Sequence, residues 1–187
     1  MKKYLINIGA SVFLLFLMLT WNGCDEFNHL PLNIPLTINL DLTSSGGSLS
    51  ASQEGCLSTN SDTYNEYKVK INSLRFVEAA FRTINVDPGE LSGDITVTLS
   101  DENGTELFSY SAAGTRLADY MKPNSPYIFK LTQEQIDFIN TYLDDIVNGT
   151  GSSCFTATVT VNNLLNGGQT NTLNCAIDMV IEADMQF

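Results

Sequence analysis

The chain is poor in the residues that usually carry chemistry. Among 187 residues there is one histidine, His29, and one tryptophan, Trp21. A single histidine outside the patterned part of the chain leaves no partner for Ser-His-Asp or Cys-His nucleophilic catalysis. It also leaves no histidine-based zinc site, and the scattered cysteines do not make a four-cysteine one. Basic residues are scarce as well. Nine Lys and Arg stand against 21 Asp and Glu, for a formal charge of −12. Nucleic-acid binding needs a basic footprint to displace counterions from phosphates, so it is excluded as a function class. Gly46-Gly47 and Gly167-Gly168 lack the lysine of a phosphate loop. After residue 19 no apolar run is long enough to span a bilayer, which takes about 20 residues. No cofactor and no metal is expected.

What is present begins at the N-terminus. Met1-Lys2-Lys3 is a short positive region. Ile8 and the run Val12 to Leu19 form an apolar segment, followed by Thr20-Trp21-Asn22-Gly23-Cys24. A charged start, an apolar stretch and a small residue at the exit describe an export signal. Gly23-Cys24 resembles the lipobox of bacterial type II signal peptides, in the relaxed form found in Bacteroidota. Trp21 and Asn22 depart from the aliphatic and small residues usual there. The resemblance covers the first 24 residues. It implies cleavage before Cys24, a diacylglyceryl group on its thiol and stable anchoring by two or three acyl chains.

The expected organisation is therefore a signal peptide over 1–23, a lipid-anchored tether over 24–31 and one domain over 32–187. Loss of Lys2 and Lys3 with the signal takes the charge from −12 to −14. The expected location is the bacterial cell envelope, with the outer membrane favoured over the inner. The membrane is the expected partner, through the lipid, together with an envelope protein or a glycan.

Most of the remaining pattern has period two. Leu32, Ile34, Leu36, Ile38, Leu40 and Leu42 alternate with polar residues, and Pro35 places that strand at an edge. Thr43–Ser61 is rich in Ser and Gly and reads as a long loop. Tyr64, Tyr67, Ile71 and Leu74 have helical spacing, from a start near Ser61 or Asp62. Arg75–Val86 reads as a strand ending at the turn Asp87-Pro88-Gly89. Ile95, Val97 and Leu99, the turn Asp101–Gly104 and the return Glu106–Ser111 form a hairpin. Tyr127–Leu131 is a short strand. Thr132 to Gln135 is a capping box opening a helix with Ile136, Ile139, Leu143 and Ile146 on one face. Two last strands are joined by Asn166-Gly167-Gly168.

About seven strands and two short helices without βαβ alternation describe an antiparallel β-sandwich, immunoglobulin- or transthyretin-like by analogy in strand count alone.

With Cys24 assigned to lipid, Cys56, Cys154 and Cys175 remain, and three cannot all pair within one chain. Cys175 shares the apolar face of the last strand, whereas Cys154 lies opposite Phe155, Ala157, Val159 and Val161. Parity favours a Cys56–Cys154 disulfide, with Cys56–Cys175 the rival. Adjacent carboxylates occur at Asp101-Glu102 and Asp144-Asp145, but neighbouring helical residues do not face each other. Tyr120, before Pro123, is the candidate exposed ring for a ligand. The function expected is a non-enzymatic binding or structural module of the envelope. The alternatives are a carbohydrate- or ligand-binding accessory protein and a carboxylate-dependent hydrolase, which would need two acids converging in a cleft.

Overall fold

The computed structural model describes residues 29–121, 126–165 and 170–186. The signal segment, Cys24 and the Asn166–Gly168 turn lie outside these residues, so the expectations for them do not meet the structure.

The described residues form eight strands in two four-stranded antiparallel sheets. They are β1 (His29–Ser44), β2 (Leu49–Cys56), β3 (Ile71–Asp87), β4 (Ser92–Ser100), β5 (Glu106–Arg116), β6 (Tyr127–Ile128), β7 (Cys154–Asn162) and β8 (Asn171–Gln186). One sheet runs β1-β8-β3-β6 and the other β2-β7-β4-β5. The first strand pairs with the eighth, the second with the seventh, the third with the sixth and the fourth with the fifth. The chain is thus one long hairpin rolled up on itself, which is the connectivity of a jelly roll. The expected antiparallel sandwich is what forms, with eight strands and this connectivity in place of an immunoglobulin one.

Alternation builds the core. Ile34, Leu36, Ile38, Leu40 and Leu42 of β1 are buried, as are Phe155, Ala157, Val159 and Val161 of β7. β8, paired with β1 and facing β7 from across the sandwich, contributes Leu173, Cys175, Ile177, Met179, Ile181 and Ala183. The two layers meet closely near β1: a Cβ on Gly55 would lie 2.6 Å from Ile38 Cγ1. β1 lies at a sheet edge, the place in a sheet that tolerates a proline such as Pro35.

Three expectations need correction. The Ser- and Gly-rich segment contains β2, paired to β7 from Leu49↔Val161 to Cys56↔Cys154. The short helix expected from Ser61 or Asp62 forms but stops at Tyr67, before Ile71 and Leu74. After α1 (Leu57–Asn60), α2 covers Asp62–Tyr67 and passes through a 3-10 turn into β3, which takes up Ile71 and Leu74. The strand expected over Tyr127–Leu131 has two ladder residues, although Phe129 N–H still donates to Ala79 O at 2.9 Å. The long helix α3 (Gln133–Val147) starts at Thr132 with both halves of the capping box made. It buries Ile139, Tyr142, Leu143 and Ile146, and Asn140 Oδ1 accepts the Phe76 N–H at 2.8 Å. In this way α3 covers a stretch of β3 edge that β6 is too short to reach.

Candidate functional site

Cys56 and Cys154 face each other in the β2–β7 register and are joined by a disulfide. Cys175 is the free cysteine of the described residues and is buried. Parity therefore chose the pair correctly. Glu54 comes within 3.6 Å of Cys56 Sγ. That sulfur carries no proton, so the approach is a contact and not a hydrogen bond. Glu54, Cys56 and Cys154 lie close enough together to hold a metal ion, but the disulfide consumes both thiolates.

Tyr120 sits in a 3-10 turn (Leu117–Tyr120) and not in an irregular exposed loop. Thr83 Oγ1 donates to Leu117 O at 2.8 Å and fixes that turn against β3. The Tyr120 ring meets Phe81 at 5.9 Å and Tyr127 at 5.8 Å, both edge-on. Tyr127 in turn lies 4.7 Å from Tyr110. These partly buried rings close the open side of the sandwich between β3 and β5. The cavity they leave is about 10 Å³, at the threshold for one water. The rings pack on one another instead of presenting a flat platform. Burial raises the Tyr120 hydroxyl above its ordinary range, with the Tyr127 and Asp119 charges adding to it. Burial chiefly, then the hydrogen bond with Tyr127, pushes Tyr110 up to about 12. The Tyr110 and Tyr120 hydroxyls stay neutral near pH 7.

The paired carboxylates are occupied in local structure. Asp101 Oδ1 accepts the N–H groups of Asn103 and Thr105 and shapes the hairpin turn. Glu102 accepts from the Tyr142 hydroxyl and from Ser152 N–H at 3.1 Å. The Tyr142 hydroxyl also lies 2.7 Å from Ser152 O and 2.6 Å from Cys154 O. One proton thus faces three acceptors beside the disulfide, and the carboxylate, as the charged acceptor, takes the strongest bond. The Tyr142 hydroxyl holds the Glu102 carboxyl below its ordinary range. Asp144 and Asp145 are exposed at the end of α3.

The outer face of the second sheet has a different chemistry. Ser50, Thr160, Thr96 and Ser111 fall in one row across β2, β7, β4 and β5. Ser52, Thr158, Thr98 and Ser109 form the next. Thr156 and Ser100 continue into a third row, which ends in Glu54 and Glu106. Within the rows Ser50 bonds Thr160 at 3.1 Å, Thr96 bonds Ser111 at 3.0 Å and Thr98 bonds Ser109 at 3.2 Å. Ser52 bonds Thr158. The first sheet's outer face carries charge instead. Arg82 Nε donates to Asp178 at 2.9 Å, and Asn174 donates to Asp41 at 2.5 Å.

No family model matches the chain, and no curated protein matches it. Solved structures do. The chain is similar to a protein of tobacco necrosis virus at 14% identity, over 86% of this chain and 97% of that one, with a TM-score of 0.40. A Macrobrachium rosenbergii nodavirus structure matches at 12% identity over 84% of this chain and 53% of that one, with a TM-score of 0.44. Turnip yellow mosaic virus matches at 9% identity over 84% and 94%, with a TM-score of 0.40.

The hydroxyl rows escape a reading of the sequence alone. Thr156-x-Thr158-x-Thr160 and Thr96-x-Thr98 are visible in it, but only the strand order places them side by side with β2 and β5. Tyr127 likewise meets Tyr120 only because β6 pairs beside Phe81 on β3, and Tyr110 joins Tyr127 from the opposite sheet.

Proposed function

We propose that the chain is a lipid-anchored module of the bacterial cell envelope, tethered through Cys24 and working by binding or scaffolding without catalysis. The observation that carries this reading is the export signal ending in Gly23-Cys24. The Cys56–Cys154 disulfide supports it, because such bonds persist in oxidising compartments outside the cytoplasm. The arrangement of the candidate groups supports the second half. The tyrosines fill an edge of the sandwich, Asp101 and Glu102 hold local structure, and Asp144 and Asp145 are exposed at the end of α3.

Mass spectrometry of the mature protein tests the anchor. The expected product begins at Cys24 and carries acyl mass, and Cys24→Ala moves the protein from the membrane to the soluble fraction. An unmodified cysteine, or a Cys24→Ala protein that stays wholly with the membrane, would overturn the reading.

A further inference from the structure

We infer that the hydroxyl-bearing face of the β2-β7-β4-β5 sheet is a docking surface for a neutral polysaccharide. The inference rests on the binding-module reading and names its surface and ligand class. The first argument is charge. The chain has 21 acidic residues, yet the two central rows of this face hold none. Solubility alone does not require that, since the opposite sheet's outer face is solvated with Asp178, Arg82 and Asp41. Within these two rows a charged partner finds nothing to pair with; the acids of the face, Asp94, Glu54 and Glu106, stand in the rows that flank them. An apolar helix finds no apolar groove there, because the large side chains of these strands point inward.

The second argument is hydrogen-bonding capacity. A hydroxyl offers one donor and two acceptor sites. Each cross-strand pair spends one proton internally, which leaves one donor and several lone pairs facing outward. A partner matched to this face carries donors and acceptors in equal mixture and no charge, which is the chemistry of a neutral polyol. The internal bonds also hold the side chains in place before binding, so little rotamer entropy is lost on docking.

Size decides between a glycan and a second copy of this chain. Four strands at about 4.8 Å spacing and all three rows, about 6.8 Å apart, give a patch near 15 Å on a side. That is on the order of 200 Å², well short of the ~800 Å² per partner of a stable protein interface. A polymer crossing the rows meets a patch of useful width. Many copies in one membrane would add avidity to weak single contacts.

Co-sedimentation of the full-length, detergent-solubilised protein with insoluble β-1,3-glucan, and affinity electrophoresis in soluble mannan, test this. The wild-type protein is expected to bind at least one neutral polymer and to ignore polygalacturonate. Thr98→Val with Thr158→Val keeps shape and strand propensity while removing two central hydroxyls. It is expected to weaken binding about tenfold or more. Thr98→Lys with Thr158→Lys is expected to abolish it, and Tyr120→Ala to leave it unchanged. Unchanged thermal midpoints in the valine variant separate lost binding from lost fold. No binding by the wild-type protein, equal binding by the valine variant, or loss only with Tyr120→Ala would each overturn the inference. So would self-association of the wild-type protein that disappears in the valine variant. None of these results alters the mass of the Cys24 product, so the anchoring reading stands or falls separately.

Discussion

Tyr142 is the residue with most of its surroundings to lose. It is 7% exposed, and its hydroxyl faces Glu102 together with the carbonyls of Ser152 and Cys154. Tyr142→Phe is expected to destabilise the fold by about 1–3 kcal/mol, read as a lower denaturant midpoint, because polar groups lose their partner. The same bond has a pH signature. Glu102 is held below its ordinary value of 4.5 in the folded chain. Its contribution is therefore fully present above that value and fades as pH falls through the lower folded value. Urea midpoints across that range should fall less steeply in Glu102→Gln than in wild type. Cys175 has the opposite character. Burial, with a smaller push from Asp41, raises its thiol to about 12, and the thiolate is the reactive form. A thiol reagent at pH 8 should leave Cys175 unmodified in the native domain and label it once urea unfolds the chain.

Among the elements, β2 and β7 depend on their cross-link. The disulfide ties residues 98 apart in sequence. Replacing Cys56 and Cys154 by serine is expected to cost about 2–4 kcal/mol, visible as a lower thermal midpoint than the reduced-to-oxidised control accounts for by handling. β2 was also the element hardest to see. As an edge strand it buries Leu49 and Cys56 and exposes most residues between them, so its composition looks like a loop. β1, β7 and β8 were legible because one face of each is buried along nearly its full length. The helical spacing of Ile71 and Leu74 misled for a physical reason. Both are needed by the core beside β3, and β3's bulge between Ile71 and Ser73 shifts their register. The disulfide was legible because side-chain parity in β7 and β8 separates Cys154 from Cys175. Tyr120's partners were not, because Phe81 and Tyr127 reach it from different strands.

For the whole molecule, the governing feature is the pairing of first with last. His29 lies opposite Gln186 and Ser44 opposite Asn171. No local signal in the sequence announces a contact between chain ends, which is why the strands could be read but the roll could not. It also fixes how the molecule would carry load. Pulling the two chain ends apart opens the β1–β8 ladder one bond at a time, like a zipper, at low force. Pulling β1 along its own axis, while the body is held elsewhere, strains the ladder's bonds together in shear. If the chain is anchored at Cys24 and docks a polymer on the far sheet, as proposed, the second kind of load would act on it. The rolled hairpin would then be a mechanical clamp, weak to peeling and strong to shear along β1.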